Sequence, residues 1–172
     1  MRSLGPSEAD IRVYTFKEGL LSPVAHDLQL RATRFEIIVD ATAPSVRARV
    51  EPGSLEVVCA MKGGQEAEGA LSSANKAEIQ QNIQRDVLHT ARFASALFES
   101  SALTETEVVG RLTLHGVTRE VRVPWRTDGE SRVGELRIDQ RDYGIKPYTA
   151  LFGALKVQAE VLVVVRVRWT EA

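Results

Sequence analysis

The sequence has one cysteine, ten aromatic residues (five Phe, three Tyr, two Trp) and almost no net charge, 22 Lys and Arg against 23 Asp and Glu. Each shortage excludes something. One cysteine cannot form an internal disulfide or a cysteine-based zinc knuckle. A charge of −1 gives no global positive field to attract nucleic acid, so no nucleic-acid partner is expected. No apolar run approaches the roughly 20 residues of a membrane-spanning helix, so no integral membrane segment is expected. Met1 to Glu8 lacks the apolar core of a signal peptide, and a cytoplasmic protein is expected. A signal peptide already removed would instead place it in the periplasm. The G-x-S-x-G elbow, phosphate loop, dinucleotide fingerprint, H-E-x-x-H and C-x-x-C motifs are all missing.

What is present is aliphatic, in a chain of 172 residues that is 44% hydrophobic. The length favours one domain, residues 1–172 with a core of about 11–169. Apolar residues alternate with polar ones at Leu28, Leu30 and Ala32, then with opposite parity at Phe35, Ile37 and Val39. The parity change predicts a bulge or twist near Arg34. Similar runs cover Val46–Val50, Leu55–Cys59, Leu112–Leu114, Val121–Trp125 and Leu136–Ile138. The longest is Leu155, Val157, Ala159, Val161, Val163, Val165, Val167 and Trp169. Period-two alternation means strands with one dry face. Short turns between them favour antiparallel hairpins in a sandwich or barrel.

One segment differs. Ile79, Ile83 and Val87 recur every four residues, with Gln80, Gln81, Gln84 and Arg85 on the other faces. Asn75 and Glu78 resemble a capping box, predicting one amphipathic helix over about 75–89. Its apolar stripe is either packing or a partner-binding face. Lys62 to Ala74 and Thr127 to Gly134 read as loops.

Several residues admit two readings. Cys59 is a buried small hydrophobe or a reactive thiol. His26-Asp27 is a hydrogen-bonding pair at a strand start or a polar handle at a ligand site. The three histidines lack ligand spacing, so no metal or other cofactor is expected. Tyr143 and Tyr148, with Arg141-Asp142 before and Phe152 after, form a packed loop or a ligand-contacting rim.

Gly110-Arg111-Leu112-Thr113-Leu114-His115-Gly116-Val117-Thr118-Arg119-Glu120-Val121 resembles the "G-x-L-T-I-x-G-V-T-x-x-V" hairpin of the YceI-like family. Asp142-Tyr143-Gly144-Ile145 resembles its "x-F-G-I" signature, with Tyr for Phe. Ala91 to Ser100 lacks the Tyr-Pro of the family's segment after the helix. The resemblance implies a mainly β fold, an eight-stranded antiparallel lipocalin-like barrel with the helix at its mouth. It implies a binder or carrier, not an enzyme, with a long-chain lipid or isoprenoid ligand in its tunnel: a polyisoprenoid, an isoprenoid quinone or a fatty-acyl-type lipid. Contacts are then expected at Phe16, Leu28, Leu30, Phe93, Phe98, Leu112, Leu114, Phe152, Val161 and Val163. The polar rim groups are His26, Asp27, Arg141, Tyr143 and Tyr148. Two rival readings stand beside this one. The first is an interaction module with a filled barrel, using the helix or the Lys62–Ala74 loop as its contact. The second is an enzyme on an apolar substrate with His26 and Asp27 as acid and base. Nothing in the sequence excludes a homodimer.

Overall fold

The computed structural model describes residues 1–19 and 25–168, so Trp169, the last residue of the long alternating run, lies outside the described residues. The strands are β1 (Arg2–Leu4), β2 (Ala9–Thr15), β3 (Asp27–Ala32), β4 (Phe35–Asp40), β5 (Ser45–Val50), β6 (Leu55–Lys62) and β7 (Gln65–Ala67). Then come the helix α1 (Ser73–Asn82), β8 (Ala96–Leu103), β9 (Glu107–Leu114), β10 (Val117–Asp128) and β11 (Ser131–Asp139). The chain finishes with β12 (Thr149–Ala150), β13 (Leu155–Lys156) and β14 (Glu160–Arg168). All pairings are antiparallel, and twelve strands form one sheet in the order β1-β4-β5-β8-β9-β10-β11-β14-β2-β3-β6-β7.

The expected eight strands need correction. The chain does make eight long passes: β2, β3 with β4, β5 with β6, β8, β9, β10, β11 and β14. Two of them are split at a corner. The β3–β4 pass breaks at Thr33–Arg34 and the β5–β6 pass at 51–54, so the ladder is interrupted and the twelve-stranded sheet is not closed. Its edges are the three-residue strands β1 and β7, too short to template another chain. The parity change near Arg34 is this corner. Buried Ser54 holds it: its hydroxyl accepts from the amides of Thr33 (3.2 Å) and Arg34 (3.0 Å) and donates to the Glu51 carbonyl (2.8 Å).

On the other side β10 makes the turn without a break. Val117–Pro124 pair with β9, and Trp125–Asp128 pair with β11. Pro124 sits at the change of partner, where its missing N–H takes no bond from a ladder. Alternation fixes the registers, because a one-residue slip would turn Val161, Val163, Val165 and Val167 of β14 outward. Several arginines on the outer faces are ion-paired, as in Arg126–Glu135 (2.8 Å), Arg137–Glu160 (2.8 Å) and Arg166–Asp128 (2.7 Å).

The helix begins earlier than the pattern predicted. Ser72, not Asn75, is the cap: its Oγ accepts from the Asn75 amide (3.1 Å), and Asn75 Oδ1 accepts from the Ser72 amide (3.2 Å). A π-helical turn, Ile83–Val87, extends it. No residue of α1 is fully buried. Polar groups anchor it instead. Gln80 Oε1 accepts from the Val57 amide (2.9 Å), and Gln84 Nε2 donates to the Gly53 carbonyl (3.0 Å). These glutamines, read as belonging to the polar faces, tie the helix to the β5–β6 corner. The apolar contribution comes from the following turn, where Val87 is buried and Ile83 and Leu88 face the interior.

Two buried clusters form the core. Leu4, Ala9, Ile11, Ala32, Ile37 and Val39 make one; Val87, Ile138, Tyr143, Ile145 and Val161 make the other. Cys59 is buried, and burial pushes its thiol pKa up, as a small core hydrophobe requires.

Candidate functional site

Members of both clusters line the same cavity, of about 310 Å³. The inward row of β14 (Val161, Val163, Val165, Val167) runs along it. The neighbouring rows are Ile11, Val13 and Thr15 on β2, and Arg132, Gly134, Leu136 and Ile138 on β11. Six residue steps from Val161 to Val167 span about 20 Å. The cavity is therefore elongated along the strands. Among its described lining side chains only Thr15, Arg132 and Gln140 are polar.

Many inward side chains are only half-buried, including Val13, Leu112, Leu114, Leu136, Val163 and Val165. They face space rather than packed atoms. The aromatic shortage contributes to this: among the described residues, the aromatics that line the cavity are Phe98 and Trp125. Two glycines in inward rows let neighbouring groups approach the backbone closely. A Cβ on Gly110 would lie 2.5 Å from the Glu99 carbonyl oxygen and 2.6 Å from Phe98 Cζ, so the Phe98 ring lies across this glycine. A Cβ on Gly134 would meet Val123 Cγ1 at 3.0 Å.

Of the fifteen residues expected at a ligand site, Leu30, Phe98, Leu112, Leu114, Val161 and Val163 line the cavity. The other nine do not. Asp27 accepts a hydrogen bond from the Lys17 amide (2.7 Å), and its neighbour His26 is exposed. Arg141 is exposed and grips Asp139 through Nε (3.0 Å) and Nη2 (2.7 Å), bracing the turn Gln140–Tyr143. Tyr143 lies in the second cluster, where desolvation raises its phenol pKa. Tyr148 is half-buried, and its hydroxyl accepts from Asn82 Nδ2 (3.3 Å). Phe16 and Leu28 are half-buried outside the lining; Phe93 packs on His115, with ring centroids 4.1 Å apart. Phe152 is fully exposed, at a φ of 53°. Sequence reasoning did not single out Trp125, Arg132, Gly134 or Gln140 as lining residues. Extending the β11 parity two steps back from Leu136 reaches Gly134 and Arg132.

His115 combines a left-handed backbone with a buried ring nitrogen. It sits at a φ of 53°, and its buried Nε2 has no hydrogen-bond partner among the described residues. Burial lowers its pKa, opposed by a hydrogen bond to the Tyr143 backbone, while His89 and Arg92 nearby lower it further. The fold thus favours neutral imidazole. As pH falls below the unfolded-chain value of about 6.5, the unfolded chain gains a proton that the folded chain resists. Stability therefore declines on acidification through this window. Urea unfolding at pH 7.5 and pH 5 measures the decline. His115→Asn, which tolerates the positive φ, is expected to make it shallower; an undiminished decline would assign the loss to other groups.

Among the described residues, no group of three or more His, Cys, Asp or Glu side chains could hold a metal ion, and no helix is long and apolar enough to cross a membrane.

Comparison with known proteins agrees with this architecture. A family model described as a YceI-like domain matches residues 13–169. Among solved structures, the chain is similar to BcnA of Burkholderia cenocepacia, with 15% identity, 92% of this chain and 94% of that one covered, and a TM-score of 0.58. It is similar to a polyisoprenoid binding domain from Saccharophagus degradans implicated in plant cell wall breakdown, at 11% identity, 93% and 94% coverage, and a TM-score of 0.57. It is also similar to the YCEI protein of Campylobacter jejuni, at 11% identity, 91% coverage of both chains, and a TM-score of 0.54. No curated protein matches.

Proposed function

Since the chain belongs to the YceI-like family, we propose that it binds or carries one long apolar molecule in the interior between its strands. The observation that carries this reading is the elongated cavity, whose lining among the described residues is aliphatic apart from two aromatics and three polar side chains. A buried chain of 16 methylenes gains roughly 12 kcal/mol gross at about 0.8 kcal/mol each. Association costs of roughly 4–15 kcal/mol offset much of that. Micromolar binding or tighter remains within reach, so apolar contact alone is a sufficient driving force.

An isoprenoid chain is the first ligand class to consider, because one structural relative is a polyisoprenoid-binding domain. Isoprenoid quinones and fatty-acyl lipids present the same kind of surface. The rival reading, an interaction module with a filled interior, is disfavoured by the half-buried inward rows. The enzyme reading is disfavoured because His26 and Asp27 stand apart from the cavity.

The test is titration with a fluorescent probe carrying a chain of about 16 carbons. Saturable binding is expected, with displacement by a long-chain isoprenoid alcohol and not by a six-carbon analogue. A probe that gives no saturable signal would sink the proposal.

A further inference from the structure

Among the described residues that line the cavity, Arg132 is the one charged side chain. We propose that it receives the anionic head group of the ligand, so that the preferred cargo is a single-chain anionic amphiphile rather than a neutral lipid. This rests on the binding role proposed above and names the chemical class of its ligand.

The placement comes from register. Arg132 shares the inward face of β11 with Gly134, Leu136 and Ile138. It pairs with Val167, whereas Ile138 pairs with Val161, so Arg132 stands at one end of the valine row. The opposite end carries Ile145 and Gln140, and the Gln140 side-chain amide donates to the Gln158 carbonyl (3.1 Å). The cavity therefore has a cationic end and a neutral end.

Among the described residues the guanidinium is held but not neutralised. Nη1 donates to Thr127 Oγ1 (2.6 Å), and Cζ lies 5.3 Å from the Trp125 ring centroid. Trp125 is itself fixed by Nε1 donating to the Thr104 carbonyl (3.0 Å). Arg132 makes no ion pair with any described residue, while Arg126, Arg137 and Arg166 on nearby outer positions each pair with a carboxylate. A guanidinium has five N–H donors in a planar fork, and this one spends a single donor on the described residues. The remainder suit a carboxylate or phosphate bidentately. Beside an apolar lining, an unpaired cation gains more from an arriving anion than it would in open water. A volume of about 310 Å³ is at the low end for ligand pockets, which fits one chain and not two.

The experiment compares hexadecanol, palmitate and hexadecyl phosphate by displacement of a neutral long-chain probe, with folding checked by circular dichroism. The tail is constant, so only the head differs. Both anions are expected to bind about tenfold or more tightly than hexadecanol, the scale of hydrogen bonds to a charged group. Whichever anion is tighter identifies the head as carboxylate or phosphate. Arg132→Met is expected to erase the preference. Arg132→Lys keeps part of the preference, and Arg137→Gln on the outer face keeps all of it. Equal binding of all three ligands, or a preference that survives Arg132→Met, overturns this inference alone. Binding of none overturns the carrier role as well.

Discussion

Val165→Trp is expected to abolish long-chain binding, a loss of at least a hundredfold, while the chain stays folded. Val165 lies midway along the inward row of β14, with Ile11 of β2 on one side and Gly134 of β11 on the other. An indole placed there projects across the narrow dimension of the cavity. A ligand lying along the strands would then lose contact on one side of the block. At about 0.8 kcal/mol per methylene, losing half of a 16-carbon chain removes roughly 6 kcal/mol of gross burial, well beyond a hundredfold. In a packed core such a substitution costs about 1–3 kcal/mol through strain; here the new atoms enter space that is already empty. Probe titration together with thermal unfolding separates the two effects. Undiminished binding by a folded Val165→Trp protein would mean that the ligand does not run along β14.

The second large effect is on stability and depends on the interior being unevenly packed. Leu30→Ala is expected to cost about 2–5 kcal/mol, the range for a fully enclosed leucine. Leu30 is 2% exposed and stands between Val13 of β2 and Val57 of β6. Leu136 also points inward but is only half-buried, because part of its surface faces the cavity. Atoms facing a void have already forfeited partners on that side. Leu136→Ala is therefore expected to cost clearly less, under about 2 kcal/mol. Urea unfolding of both variants at one pH gives the comparison. Equal costs would indicate that the interior around Leu136 is filled.

Period-two alternation carries much of this architecture in the sequence. It places Leu112, Leu114, Val161 and Val163 on inward faces, and the parity break at Arg34 marks the corner that splits two of the eight passes. Closure is not legible from alternation, because it depends on how the corner at 51–54 interrupts the ladder, and that is set by the Ser54 hydrogen bonds. The cap was ambiguous for a local reason: Ser72–Asn75 and Asn75–Glu78 have the same spacing, and either side chain can satisfy the first amides.

The candidate site was less legible. Tyr143 and Tyr148 look like a rim because tyrosine suits an interface between apolar and wet surroundings. A short turn such as Gln140–Tyr143 has no periodicity to say which way its side chains face, and Tyr143 turns into the second cluster. Arg132 fails in the opposite way. Its parity places it inward, but a lone arginine near a turn resembles the outward Arg137, and only the register with Val167 shows that it borders the cavity. The small residues are similarly silent. Gly110 and Gly134 lie in inward rows, where what they contribute is the absence of a side chain.

A crystal structure of the protein grown with a hexadecyl ligand tests the central claim most directly. The account predicts continuous ligand density along the inward row from Val161 to Val167, with the strands in their present registers. A ligand bound on the outer surface, with the inward side chains closed over the interior, would contradict it.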